Sequence, residues 1–260
     1  MNKTKLFYPF AISIFALTAL FLPALASAAK PTDLPEAPGT YAVPGNSKLK
    51  LRVFVYHAKN GAKPGPSPAP VWVCGLTDPS SSTVDGYTGW KLPSTWTYRL
   101  NTGSVPGAIS QSEFTILANN SLNTWKATDA GSVTFTQGAN TSVNKAASDS
   151  QNIVSWGRTS GSALATTYTW YYPSTGIVAE SDIILNKHFA WEWSDSNSCA
   201  WQNYYDAQSI LTHELGHWLG LDDNYLSTFT DNTMYGYGSA TEVKKNTLAD
   251  GDKSAVNSLY

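Results

Sequence analysis

The sequence predicts an α/β domain, a sheet of several strands carrying two long helices and a short helix at the C-terminus. Three observations predict it. A capped amphipathic run, Ser110–Lys126, sits between two strand-like segments as in a βαβ start. Strand-like runs then recur without a helix between them. One apolar helical run comes late, over residues 206–219, and carries two histidines four residues apart.

The elements follow in order along the 260 residues. Lys3 and Lys5, the apolar core Phe10–Leu22 and the small residues Ala26-Ser27-Ala28 read as a secretory signal over residues 1–28. The apolar core is short for a bilayer span, with an uncleaved anchor as the alternative. No cysteine follows the cleavage site to carry a lipid, and no later run is apolar enough to span a bilayer. Residues 29–88 read as a Pro-rich leader, or a small propeptide-like segment, with one strand. Within it residues 30–48 lack periodicity, Leu49–His57 alternates, and Gly61–Pro70 is a Pro/Gly/Ser linker. In the alternating run Leu49, Leu51, Val53 and Val55 face one way and Lys50 and Arg52 the other.

Residues 89–260 form the main domain. Ser110 and Glu113 make a capping box ahead of the apolar face Phe114, Leu117, Ala118 and Trp125. Strands are expected at Val133–Thr136, Ile153–Trp156, Ala165–Tyr172 and Ile183–Leu185. Asp206 caps the second helix, an irregular stretch spans 222–245, and a short helix covers about Asp250–Leu259.

Composition narrows the function. Seventeen basic against nineteen acidic residues, with no Lys/Arg cluster, give nucleic-acid binding no support. Ten Trp and fourteen Tyr read first as core packing in a β-rich exported fold, and second as a surface for sugars or peptides. Cys74 and Cys199 are the only cysteines, and an exported chain favours joining them, which would tie the start of the main domain to the loop before the second helix. The mature chain is expected to be soluble, exported, free of membrane and monomeric.

The most informative stretch is His213-Glu214-Leu215-Gly216-His217-Trp218-Leu219-Gly220-Leu221-Asp222-Asp223. Helical spacing puts both imidazoles on one face, within reach of one ion. Glu214 stands beside the first ligand, where it can take a proton from water. Gly220 ends the helix with a positive φ, and Asp223 then offers a carboxylate as third ligand. Three protein ligands and an open fourth position are the pattern of a catalytic zinc rather than a structural one.

These residues resemble the metzincin metallopeptidases, with a snapalysin-like Asp where His is usual. Thr233-Met234-Tyr235-Gly236-Tyr237-Gly238 resembles their methionine turn. Further likenesses point to the matrixin branch: Trp96–Asn101, Ser110–Lys126, Ser132–Phe135, Ser162–Thr166, Ser181–Asn186 and Thr247–Asp252. The resemblance implies a twisted, mostly parallel sheet with an antiparallel edge strand. It implies that Ala163, Leu164 and Ala165 of that edge pair with an extended substrate. Cys74-Gly75-Leu76-Thr77-Asp78 faintly resembles the matrixin cysteine switch, so a switch thiol stands as the rival to the disulfide.

The function so expected is a secreted zinc endopeptidase with Glu214 as general base and a protein or peptide as substrate. A catalytically inactive metal-containing binding module, or a zinc hydrolase of a non-peptide bond, is the alternative. One catalytic Zn2+ is expected. A second, structural zinc is not, because only His57 and His188 remain. Ca2+ has candidates in Asp182, Asn186, Asp195 and Asp231, residues that more often serve as caps or loop residues. Tyr235 and Tyr237 either line the site or pack.

Overall fold

The computed structural model describes Met1, residues 33–59 and residues 70–260. Apart from Met1, the expected signal over 1–28 lies outside the described residues, as do residues 61–69 of the linker. Among the described residues no helix is long and apolar enough to cross a membrane.

The strands in chain order are β1 (Gly39–Val43), β2 (Asn46–Ala58), β3 (Trp72–Cys74), β4 (Thr95–Leu100), β5 (Thr134–Gln137), β6 (Ile153–Gly157), β7 (Ala163–Tyr172), β8 (Ile177–Asn186), β9 (Trp191–Glu192), β10 (Cys199–Trp201), β11 (Tyr205–Asp206) and β12 (Tyr237–Gly238). The helices are α1 (Gln111–Lys126), α2 (Ala207–Trp218) and α3 (Asp250–Asn257). The main sheet runs β1-β2-β7-β8-β6-β4-β5, with β12 added to β2. From β8 to β5 neighbours are parallel. From β8 to β1 they are antiparallel.

Local chemistry accounts for the helices. Ser110 and Glu113 complete the capping box of α1 reciprocally. Asp206 caps α2 by accepting from the Ser209 N–H at 2.6 Å. The two helices pack together on one face of the sheet. There Trp125 Nε1–H donates to the Thr212 carbonyl at 2.8 Å, so the buried indole leaves no orphan donor. Phe114, Leu117, Trp125, Leu211, Leu215 and Trp218 join the sheet residues Trp96, Tyr98 and Leu100 in the main core. A smaller cluster, including Leu51, Val53, Val55, Tyr168 and Trp170, covers the opposite face.

Two expectations are corrected here. The described part of residues 29–88 carries three strands, not one. β1 is a short partner of β2, and β3 pairs only with β10, where Cys74 and Cys199 are register partners joined by a disulfide. The second correction concerns Ala163–Tyr172, which is not an edge. Its outer side is taken by β2, from Lys50↔Tyr171 to His57↔Ala163. The reason is visible in Val53-Phe54-Val55-Tyr56, which is apolar on both alternations and fully buried. Such a run belongs inside a sheet covered on both faces.

Candidate metal centre

α2 presents His213 and His217 to the same point, and the chain must then turn sharply to bring a third ligand. Gly220 makes that turn with φ +98, and a Cβ there would collide with the Trp90 carbonyl. Asp223 returns so that its Oδ1 lies 3.1 Å from His213 Nε2 and 3.6 Å from His217 Nε2. One ligand atom from each of the three lies within 4.8 Å of the others. Among the described residues no other such group of three is found.

The rings are held by their other nitrogens. His213 Nδ1 meets the Thr233 carbonyl at 2.7 Å and His217 Nδ1 meets the Leu221 carbonyl at 3.0 Å. A carbonyl only accepts, so each Nδ1 carries the proton and each Nε2 keeps its lone pair for a metal. Burial pushes His213 down to about 3 and His217 down to about 4, so both imidazoles are neutral at ordinary pH. Burial pushes the Asp223 carboxyl up, and the facing His217 opposes it. A cation at this point would reverse that balance.

The residues fit a zinc ion. Two neutral imidazoles and one carboxylate make an ordinary zinc donor set. His217 Nε2 and Glu214 Oε1 are buried without a hydrogen-bond partner, a costly state that a bound cation and its water would relieve. Glu214 is completely buried, which drives its carboxyl well above its usual range, while the Thr167 hydroxyl donates to Oε2 and opposes the shift.

Beneath the site, Met234 is fully buried. Gly216 makes room for it, since a Cβ there would run into the Met234 sulfur. The turn is pinned by Asp252 of α3, whose carboxylate accepts from Thr233 N at 2.9 Å and Met234 N at 3.1 Å. α3 thus steadies the carbonyl that orients His213. Asp222 is not among the three ligands: its Oδ1 accepts from the Asp223 N–H at 3.0 Å and lies 3.2 Å from Arg52. Tyr225 donates to Asp223 Oδ2 at 3.1 Å. Tyr225 and Tyr237 line a groove of about 440 Å³ that opens beside Asp223. Tyr235 instead packs near Lys245.

Several contacts of the site were not read from the sequence. Phe54 of β2 stacks on His217, with centroids 3.8 Å apart, and Tyr56 stacks on His213 at 4.0 Å. The apolar run at 53–56 was the available signal. Thr167, by contrast, carries no local mark of its role. Ala163, Leu164 and Ala165 lie near the site but face β2, so their backbone is not open to a substrate. The four calcium candidates are not brought together. Asp182 accepts from Ala147 and Ile153 amides. Asn186 bonds Ala163 and His188, Asp195 bonds Asn120, and Asp231 pairs with Lys244. With its sulfur in the disulfide, Cys74 is not a switch thiol.

The M10 peptidase family model, described as Matrixin, matches residues 89–260. That span holds the three ligands, Glu214, Met234, β7 and β12, and excludes β1 and β2. Among curated proteins none matches the chain.

Proposed function

The chain belongs to the matrixin family, and on that premise we propose that it is a secreted zinc endopeptidase with Glu214 as its general base. The observation that carries this reading is the convergence of His213 Nε2, His217 Nε2 and Asp223 Oδ1 around one point, with Glu214 beside them. A zinc ion held by these three atoms supplies positive charge that polarises a scissile carbonyl and acidifies water. The chain's own residues do the rest. Thr167 holds Glu214 Oε2, so the unpartnered Oε1 is the atom that takes a proton from the attacking water. The same carboxyl then delivers it to the leaving amine. Thr233 and Leu221 keep both imidazoles in the tautomer a metal needs. Family membership favours proteins or peptides as substrates. The signal-like N-terminus and the disulfide support export.

The test is Glu214→Gln, which keeps the shape but cannot accept the proton. Zinc content should stay near one per chain, while hydrolysis of casein, measured after cleavage between Ala58 and Cys74 and removal of the N-terminal fragment, should fall by about 10²–10⁴-fold. Chelation should abolish wild-type activity and added zinc should restore it. A Glu214→Gln chain within about tenfold of wild type would reject Glu214 as the base.

A further inference from the structure

We propose that β2, residues Asn46–Ala58, is an intramolecular pseudosubstrate that fills the cleft over the metal centre and seats Tyr56 in a pocket made for an aromatic side chain. The proposal rests on the peptidase reading above.

β2 occupies both walls of the cleft at once. On one side it pairs antiparallel with β7, setting Val55 against Thr166, Tyr56 against Ala165 and His57 against Ala163. On the other it pairs parallel with β12, setting His57 against Tyr237 and Ala58 against Gly238. An extended peptide seeking either wall must compete for backbone groups that β2 already uses. Directly over the ligands lie two rings. Phe54 is stacked on His217 with an 8° tilt and Tyr56 on His213 with a 23° tilt. His213, Glu214 and His217 are each 0% exposed beneath them.

This cover works by exclusion, not by coordination. Phe54 has no ligand atom, and Tyr56 lays its ring on the face of His213 and carries its hydroxyl to Gly238. The matched family span supplies both walls and all three ligands, yet ends short of β2. The slot therefore belongs to the domain, and its occupant comes from the leader. The leader joins the domain ahead of Cys74, which the disulfide anchors to β10. A cut between Ala58 and Cys74 would free the strand and leave the anchor in place.

The occupant also describes what the pocket accepts. Gly238 sets its length, because a Cβ there would come within 2.9 Å of the Tyr56 hydroxyl oxygen. Lys245 Nζ lies 5.8 Å from the Tyr56 ring centroid and is held by Glu242 at 3.2 Å. A buried cation beside the ring favours an electron-rich aromatic. Peptides presenting Tyr or Phe at this position are the expected substrates once β2 has left.

The experiment uses the full chain with a site-specific protease sequence placed within residues 61–69. The zinc-loaded protein is compared intact, and again after nicking and removal of the N-terminal fragment by gel filtration in mild denaturant. A peptide hydroxamate reports access to the metal, and hydrogen exchange reports the outer side of β7 without needing metal. Loss of the tether removes a millimolar-range effective concentration, so the intact chain should bind hydroxamate about 100-fold more weakly. β7 amides should lose protection when the fragment leaves, while α1 and α2 stay protected. An added peptide of residues 46–58 should reverse both changes, and its Tyr56→Ala version should compete roughly 10–100-fold less well. Equal hydroxamate affinity before and after removal overturns the inference. So does loss of protection across α1 and α2, which would make β2 a structural strand. A stripped chain that binds hydroxamate but cuts no peptide upholds the occupant and rejects the peptidase.

Discussion

Replacing Thr167 by Val tests how Glu214 is held rather than whether it is needed. Thr167 Oγ1 donates to Glu214 Oε2, and both side chains are fully buried. Val has nearly the same shape, so the change removes one hydrogen bond without opening a cavity. A hydrogen bond to a charged group contributes about 1.5–3 kcal/mol. Felt wholly in the transition state, that is roughly 10–150-fold in rate. The donor also favours the ionised carboxylate, and burial already drives Glu214 toward the protonated form. Without Thr167 the base is neutralised at higher pH, so the acid limb of kcat/KM should move up. The assay is kcat/KM from pH 5 to 9 on the stripped chain, with zinc content measured alongside. Fall of kcat with KM little changed, zinc retained and the acid limb moved up is the expected result. An unmoved acid limb with zinc in place would show that Thr167 does not set the state of Glu214.

Asp223→Ala should lose zinc, because two ligands rarely hold it, whereas Asp222→Ala should keep it, since Asp222 faces Arg52; metal analysis showing the reverse would place the third ligand wrongly. Cys74→Ser should lower unfolding stability by about 2–4 kcal/mol in a denaturant titration, as loss of a long-loop bridge does, and should not activate the intact chain. Stability should fall as pH rises through the window between the ordinary carboxylate range and about 8. Burial raises buried Glu192 to about 8, so the folded chain holds a proton there that the unfolded chain gives up. Glu192→Gln should flatten that fall in a series of thermal melts, and an unchanged slope would mean that Glu192 is not its source.

The parts of this site that were legible in the sequence are those set by local spacing. Two histidines four apart, a glycine that must turn and a carboxylate just beyond it define a ligand set through helix geometry alone. Ser110 and Glu113 announce α1 for the same reason, since both partners of a capping box lie within one turn. Contacts across long sequence distances left weaker marks. The carbonyls of Thr233 and Leu221 orient the histidines, but a backbone acceptor has no residue signature. Pairing of β2 with β7 joins segments more than a hundred residues apart. Its only trace was the two-sided apolar run at Val53–Tyr56, where reading a single alternating face hid Phe54 and Tyr56.

That run also bears on how firmly the cleft is closed. Val53, Phe54, Val55 and Tyr56 are each at most 1% exposed. At about 1.5–3 kcal/mol per buried apolar side chain, exposing all four forgoes up to roughly 6–12 kcal/mol. Conformational freedom regained by the released strand offsets part of this, but the tether returns the strand to its slot each time it leaves. Opening by fluctuation is therefore rare while the leader is attached. Cutting the tether does not weaken the contacts; it makes their loss irreversible on dilution. A cleavage event, rather than a change in the metal site, is what this arrangement requires to admit a substrate.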